Sequence, residues 1–256
     1  MTKSRTRNRS HSAPFRGKQK NSSNDAWLWG HHAVTAALEN PNRTLKKLVM
    51  TRNAAARIEE HNLQYEDLPP DAIDRLLPPG AVHQGIAALF EPLAPLAIED
   101  IIAGSVQRVV VLDQISDPHN LGAIFRSASA FGFSAIILQT RNTPTITGIV
   151  AKSAAGAIET VRECRVVNVS RALQQLGDAG FHTVGLSGDG GTPIVTAVEN
   201  ANWLAIVLGA EGTGLRHGVA NACAELAHIP IAAEMESLNV SNAAAIAFYE
   251  AARTRP

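Results

Sequence analysis

The residue types best suited to chemistry stand in three short segments of the C-terminal half of the chain. The first, DQISDPHNLGAIFRSASAFG, spans 113–132, and its Asn120 is of a type that caps helices. On a helical wheel Arg126 lies nearly opposite the apolar stripe that begins at Leu121, so it points toward solvent or a cleft. A guanidinium there can bind phosphate or an emerging negative charge, but a surface arginine on a capped helix shows the same pattern.

The second segment, LGAEGTGL at 208–215, follows an apolar strand and contains three glycines. Glycines let the backbone approach a ligand closely and offer it N–H groups. The segment is similar to the dinucleotide-binding fingerprint, but His217 stands where the third glycine is needed, which disfavours an NAD-dependent oxidoreductase. Taken alone, Glu211 is typical of an acidic residue near a helix start.

The third segment, IPIAAEMESLNVS at 229–241, leads into the last helical pattern, 240–253. Asn239 or Ser241 has the residue type of an N-cap. Ser237 and Asn239 are also small hydrogen-bonding groups at a strand-to-helix turn, where the atoms of a substrate can be recognised.

Regular alternation of strands and helices must position these segments. It predicts an α/β domain with a mostly parallel sheet covered on both faces. Ligands of such sheets bind at the carboxyl ends of the strands, so the informative loops should follow Leu112, Leu208 and Ile229. The predicted strands are 109–112, 135–138, 165–169, 182–186, 204–208 and 227–229.

A smaller α/β unit precedes this domain. A helical pattern opens at Gly30, and an apolar strand, GIAALF, closes the unit near residue 90. Two prolines and a short amphipathic stretch between 91 and 104 predict a linker with an entry helix. Between these ends the patterns predict a strand at 45–50, a helix at 54–62 and a helix at 72–77. The expected division is a tail at 1–24, a small first domain at 25–91, a linker at 92–104 and a larger second domain at 105–256.

Charge is distributed unevenly along the 256 residues, although 23 basic and 23 acidic side chains give a formal net charge of zero. Residues 1–24 hold seven of the basic residues and no acid, so 25–256 are left with 16 basic and 23 acidic residues. Such a tail cannot fold alone and is either a handle for RNA phosphates or a solubilising extension. A second cluster predicts either a phosphate-binding surface or a solvated face: Arg43, Lys46, Lys47, Arg52 and Arg57.

The composition also narrows the class of protein. No apolar run approaches the roughly 18 residues that span a membrane. Two isolated cysteines, Cys164 and Cys223, fit reduced thiols rather than a disulfide framework or a zinc site. We therefore expect a cytoplasmic protein with no membrane partner.

Taken together, NLGAIFRSASAFG, VLGAEGTGL and IPIAAEMESLNVSNAAAIAFYEA resemble the three motifs of the SpoU class of SPOUT methyltransferases. WGHHAVTAAL at 29–38 and AVHQGIAALF at 81–90 resemble the ends of the ribosomal-protein-like substrate-binding domain of bacterial 23S rRNA (guanosine-2′-O)-methyltransferases. The resemblance implies an RNA ribose 2′-O-methyltransferase that uses S-adenosylmethionine (AdoMet), has a trefoil knot and forms a homodimer with active sites near the interface. RNA, not DNA, is the implied partner.

The resemblance also implies which residues act. It assigns AdoMet contacts to Gly209, Ile229 and Leu238, with Leu208 and Gly214 beside them. It assigns the catalytic group to Asn120, Arg126, Glu211, Ser237 and Asn239. Asn242 departs from the family pattern, which often has an apolar residue there, and this leaves the chemistry intact.

The chemistry fits these residue types. Methyl transfer to a ribose hydroxyl is a direct displacement in which alkoxide charge must be stabilised or a proton removed. Arg126 can donate hydrogen bonds to the alkoxide or an adjacent phosphate, or accept the proton, which is unusual for a group with a reference pKa above about 12. Glu211 would orient Arg126 or Asn120. The methyl donor is already activated, so no metal is expected.

Three interpretations remain at this point. The first is a methyltransferase acting on a guanosine of 23S rRNA, which the separate N-terminal domain favours. The second is an enzyme of the same class acting on transfer RNA or another ribosomal site. The third is a non-catalytic RNA-binding or ribosome-assembly protein that kept the fold, although a dead enzyme need not keep all five catalytic residues.

Overall fold

The structure, a computed structural model, describes residues 26–58, 63–104, 106–141, 143–199 and 201–253. The basic tail predicted at 1–24 lies outside these residues, as does the end of the helix predicted at 54–62. The described chain forms two β-sheets, one of four strands and one of seven.

The four-stranded sheet is mixed and belongs to the N-terminal unit, with strand order β1-β4-β2-β3. Strand β4 pairs antiparallel with both β1 and β2, and β2 pairs parallel with β3. The elements are β1 (Ala26–Trp29), α1 (His31–Glu39), β2 (Leu45–Met50), α2 (Arg52–Ala55), β3 (Glu66–Asp67), α3 (Pro70–Asp74) and β4 (Ile86–Phe90).

The seven-stranded sheet has the order β7-β6-β5-β10-β8-β11-β9, and every neighbouring pair is parallel. This confirms the predicted α/β fold with a mostly parallel sheet. The strands are β5 (Arg108–Leu112), β6 (Ala135–Gln139), β7 (Arg162–Val166), β8 (His182–Leu186), β9 (Thr192–Pro193), β10 (Leu204–Leu208) and β11 (Glu225–His228). The helices are α4 (Ile98–Ala103), α5 (Pro118–Ala130), α6 (Gly148–Ala154), α7 (Val169–Asp178), α8 (Ile194–Ala197), α9 (His217–Ala220) and α10 (Val240–Arg253).

Central strands of this sheet are buried on both faces because their side chains alternate between two hydrophobic clusters. In β5, Val110 and Leu112 pack with α5, α6 and α10, whereas Val109 and Val111 pack with α4, α7 and α9. The sheet is therefore a rigid layer whose strand ends hold the loops of interest in fixed positions.

The N-terminal unit packs closely against the domain of the seven-stranded sheet. A Cβ atom on Gly148, at the start of α6, would overlap the ring of Trp29. Arg43 Nη2 forms an ion pair of 2.9 Å with Glu159 Oε1, and the two side chains are only 5% and 4% exposed. Asn40 Nδ2 donates to Glu159 Oε2 at 2.7 Å.

Several sequence predictions are confirmed within this fold, among them β2, β8, β10 and α10. The strand expected at 165–169 is instead β7, three residues earlier, because Asn168 caps α7 by accepting a hydrogen bond from the Arg171 N–H at 3.1 Å. The pattern missed β1, and α2 and α3 are shorter than predicted. No described helix combines the length and apolar character that crossing a membrane requires.

Candidate active site

Three side chains from the three motif segments meet at the carboxyl edge of the parallel sheet. Asn120 Nδ2 and Asn239 Nδ2 donate to the same Glu211 oxygen, Oε1, at 2.8 and 2.7 Å. Asn239 Nδ2 also donates to Asn120 Oδ1 at 3.1 Å. The structure therefore brings together three of the five predicted catalytic residues, across sequence separations of 91, 119 and 28 residues.

Asn239 is held in one orientation by all of its hydrogen-bonding groups. Its Oδ1 accepts from the Ser241 N–H at 2.9 Å and the Asn242 N–H at 3.4 Å, at the start of α10. Its amide nitrogen is occupied by Glu211 and Asn120, so a flipped amide would lose every one of these contacts. Of the two caps that the sequence allowed, Asn239 or Ser241, Asn239 is thus the one that binds the N–H groups at the start of α10, and it is also a member of the polar cluster.

Asn120 is not the cap of its helix, contrary to the sequence expectation. Asp117 caps α5, accepting a hydrogen bond from the His119 N–H at 2.8 Å, and Pro118 occupies the first helical position. Aspartate followed by proline is a preferred helix start, and it moves Asn120 to the third residue of the helix. The Asn120 side chain, which is buried, is consequently free to bind Glu211.

The glycine segment after β10 folds back on itself. The Ala210 N–H donates to the Gly214 carbonyl at 3.1 Å, and the Gly214 N–H donates to the Ala210 carbonyl at 2.9 Å. Gly212 and Gly214 have φ values of +77° and +65°, which other residues rarely adopt. A Cβ atom on Gly209 would overlap the backbone of Gly214, so only glycine fits there.

A cavity of about 380 Å³ lies beside this loop, within the size range of small-molecule sites. Glu211 and Ser237 line it. So do Leu186, the last residue of β8, and the loop residues 187–189 after it, which the sequence reasoning missed. The glycine-rich SGDGG after a predicted strand was the available signal. All five residues assigned to AdoMet by resemblance also line the cavity: Leu208, Gly209, Gly214, Ile229 and Leu238.

The lining suits a ligand with a positive charge and an apolar ring. Asp189, Glu211 and Glu236 contribute carboxylates, and no described lining residue is a lysine, arginine or histidine. A cation therefore finds opposite charges there and no like charge. Leu208 and Ile229 offer apolar surface to a planar ring. Within the described ranges, no group of three or more potential ligands is arranged to hold a metal ion.

Arg126 and Ser237 stand apart from the hydrogen-bonded cluster. Arg126 is exposed, does not line the cavity, and makes no hydrogen bond or ion pair with any described residue. It follows Asn120 by six residues, which turns it about 240° around α5 from that side chain. Ser237 lines the cavity and is exposed. A single chain thus does not place Arg126 beside Glu211.

An ion pair fixes the C-terminal end of the glycine segment. The sequence reasoning missed this pair. Asp113, which directly follows β5, is completely buried. Its carboxylate accepts from Arg216 Nη2 at 2.5 Å, from Arg216 Nε at 2.9 Å and from the Arg216 backbone N–H at 3.1 Å. The two loops that carry Asn120 and Glu211 are therefore tied together.

The cysteines do not contribute a nucleophile. Burial raises the pKa of the Cys164 thiol to about 11 and that of the Cys223 thiol to about 12. Both residues are free of disulfides and carry neutral thiols at physiological pH.

The predicted phosphate-binding cluster of the first domain is largely neutralised. Four of its five cations are paired with carboxylates, which leaves Arg57 as the cluster's one cation without such a pair among the described residues. The pairs are Arg43–Glu159, Lys46–Glu91, Lys47–Glu66 and Arg52–Asp67.

Comparison with known proteins decides the family. The sequence profile of the SpoU rRNA Methylase family matches residues 107–249, which include all three motif segments. The chain belongs to the SpoU rRNA methylase family. A second profile, RNA 2′-O ribose methyltransferase substrate binding, matches residues 27–96. SpoU membership confirms the predicted enzyme class, an AdoMet-dependent RNA ribose methyltransferase.

Individual SpoU relatives are similar over most of the chain. The 23S rRNA (guanosine-2′-O-)-methyltransferase RlmB of Vibrio vulnificus is 36% identical over 240 residues, covering 90% of this chain and 97% of the relative. An uncharacterized tRNA/rRNA methyltransferase of Synechocystis is also 36% identical, but this chain spans only 62% of its length. The AdoMet-bound rRNA methyltransferase of Sinorhizobium meliloti superposes with a TM-score of 0.75 at 25% identity, covering 90% and 87% of the two chains.

Replacing Gly209 with alanine should weaken AdoMet binding about tenfold or more. The added methyl group must displace the Gly214 backbone, and overpacking of this kind costs roughly 1–3 kcal/mol. Titration calorimetry with AdoMet measures the effect. Gly177→Ala is the control, because a Cβ atom there meets nothing within 4 Å. Unchanged affinity in Gly209→Ala would show that AdoMet does not depend on the shape of this loop.

Proposed function

We propose that this SpoU enzyme transfers the methyl group of AdoMet to the ribose 2′-hydroxyl of a guanosine in 23S rRNA. The observation that carries the proposal is the convergence of Asn120, Glu211 and Asn239 beside a cavity with a carboxylate-rich, glycine-lined wall. The similarity to RlmB over nearly its full length supports the choice of RNA. An rRNA substrate places the enzyme in the cytoplasm.

The cavity residues are suited to AdoMet, which supplies a methyl group activated by a positive sulfur. Leu208, Ile229 and Leu238 would hold the apolar part of the molecule, and the carboxylates of Asp189 and Glu236 would face its positive charges. Gly209 keeps the loop backbone close enough to the cavity to offer its N–H and carbonyl groups.

The polar cluster would position the ribose. Asn120 Nδ2 uses one hydrogen in the bond to Glu211, so its second hydrogen is available to a substrate oxygen. Glu211 fixes the two asparagines, and Ser237 offers a hydroxyl at the cavity wall. Positioning of this kind lowers a reaction barrier by several kcal/mol, because the reacting groups are already oriented.

We infer that a second copy of the chain supplies Arg126 and that the enzyme is a homodimer. Arg126 is exposed on α5, which packs against α10. On α10, Ile246 and Tyr249 are 38% and 50% exposed and lie three residues apart, so they form an apolar strip on the helix that packs against α5. Burying this strip against a second copy would carry Arg126 toward the other cavity.

The remaining parts of the chain have supporting roles in this proposal. The domain at 25–91 would bind the RNA, the segment at 92–104 would link it to the catalytic domain at 105–256, and the basic residues of 1–24 would contact phosphates. The family resemblance predicts a trefoil knot, which would involve the glycine segment and the last loop. It remains a prediction.

The proposal is tested with isotope-labelled AdoMet, the purified protein, and RNA from cells that lack its gene. Label at one guanosine ribose of 23S rRNA is the expected result. Label in transfer RNA or 16S rRNA instead would overturn the substrate but keep the reaction. Absence of both label and AdoMet binding would favour the non-catalytic interpretation.

A further inference from the structure

Lys152, on α6 of the catalytic domain, reaches across to the N-terminal unit. Its Nζ donates to Gln84 Oε1 at 2.8 Å, and the same oxygen accepts from the His31 N–H at 3.1 Å. Gly30 has a φ of +85°, and a Cβ atom there would collide with the Lys152 ammonium and lie 2.9 Å from its Cδ. The absence of a side chain on Gly30 thus leaves space in the N-terminal unit for the side chain of Lys152.

Gln84 holds its position at a conformational cost. Its φ is +57°, in the left-handed region that non-glycine residues rarely occupy. Backbone strain of this kind concentrates at binding sites, where the surrounding structure enforces it. Here the strained residue presents its amide oxygen to an ammonium from the other domain.

The charge of Lys152 is not compensated. The described part of the chain contains three lysines, and Lys46 and Lys47 each pair with a glutamate. Lys152 instead has a neutral amide as its partner, and no described carboxylate lies within ion-pair distance. Partial burial lowers the pKa of its ammonium below the ordinary value. An anion bound beside it would restore the lost solvation and supply the missing counter-charge.

A polar connection leads from this lysine to the catalytic cluster. The next residue, Ser153, places its Oγ 3.3 Å from His119 Nδ1, and His119 is exposed and adjacent to Asn120. The contact exists because α5 and α6 approach very closely at Gly122, where a Cβ atom would lie 2.7 Å from the Val150 carbonyl. The junction of the two domains is therefore contiguous with the site where the ribose would bind.

We propose that Lys152 binds a backbone phosphate of the RNA near the target ribose. This inference rests on the proposed function. The phosphodiester is the anion available on an RNA substrate, and an ammonium whose described partner is a neutral amide suits its oxygens. The site spans both domains, so it would align the RNA held by the first domain with the active site of the second.

The test compares Lys152→Met with the wild-type full-length protein. Binding to a labelled 23S rRNA transcript is measured over a series of KCl concentrations, and methyl transfer to the same RNA is followed with labelled AdoMet. We expect RNA affinity to fall about tenfold, since charged hydrogen bonds carry roughly this much. The slope of log affinity against log salt should flatten by about 0.7–0.9, the value for one phosphate contact.

Arg171→Met is the matched control, because it also removes one exposed positive charge but lies on α7, on the opposite face of the sheet from α5 and α6, and it should leave both quantities unchanged. AdoMet affinity and the melting temperature report whether Lys152→Met is folded. A folded Lys152→Met protein with the wild-type salt slope would overturn the phosphate site. Absence of methyl transfer by the wild type would overturn the proposed function instead, and the salt slopes would still decide the role of Lys152.

Discussion

Replacing Arg126 by alanine is expected to lower the rate of methyl transfer at least about 100-fold while AdoMet affinity stays unchanged. Loss of one donor to a developing oxyanion typically costs 10²–10³ in rate. The Arg126 side chain is exposed, makes no hydrogen bond or ion pair with any described residue and does not line the cavity, so we expect its removal to disturb neither the fold nor the cavity. Single-turnover kinetics with labelled AdoMet and calorimetry measure the two quantities.

Arg171→Ala is the control for this substitution. Arg171 is also an exposed arginine on a helix, but α7 packs on the opposite face of the sheet from α5. The Arg171→Ala protein should transfer methyl groups at the wild-type rate. Comparable turnover by Arg126→Ala and the wild type would remove Arg126 from the mechanism.

A mixing experiment decides which copy supplies the arginine. If Arg126 of one copy serves the Glu211 cluster of the other, a heterodimer of Arg126→Ala and Glu211→Gln subunits contains one intact site. Random assembly of two inactive variants in equal amounts should then recover about a quarter of the wild-type activity. If both residues act within one chain, every site is defective and mixing restores nothing.

Sequence reasoning was strongest where local patterns determine the structure. The strands β8 and β10 and the helix α10 have the predicted bounds because apolar runs and a capping asparagine are read within a few residues. The cavity beside the glycine segment follows from the same logic, since parallel strands end at one edge of the sheet. Even here one local detail was wrong: Asp117, not Asn120, caps α5.

Contacts between residues that are far apart in the sequence could not be predicted from the sequence. Arg43 looked like one member of a basic surface, yet it is buried against Glu159, 116 residues away. The bond between Lys152 and Gln84 joins residues 68 apart. A cation can be assigned to RNA or to an internal carboxylate only when its neighbours in space are known, because both roles have the same local pattern.

The Asp113–Arg216 pair gives the second large expected effect, on stability rather than rate. Arg216→Met should lower the free energy of unfolding by about 3–5 kcal/mol, because it leaves a completely buried carboxylate without its guanidinium partner. Asp113→Asn should cost less, since the Arg216 side chain is 43% exposed and can turn into water. Urea unfolding at a fixed protein concentration measures both changes.

The diagnostic result is the difference in lost unfolding free energy between Arg216→Met and Asp113→Asn. A buried ion pair stabilises a fold only while both charges are present, and the penalty falls on whichever charge stays buried alone. Arg52→Met, which breaks the solvent-exposed pair with Asp67, should change stability by no more than about 1 kcal/mol. Equal losses in Arg216→Met and Asp113→Asn would contradict this account and show that loop packing, not the buried carboxylate, sets the cost. If the account holds, Arg216→Met should also weaken AdoMet binding, because the pair anchors the segment that carries Gly209 and Glu211.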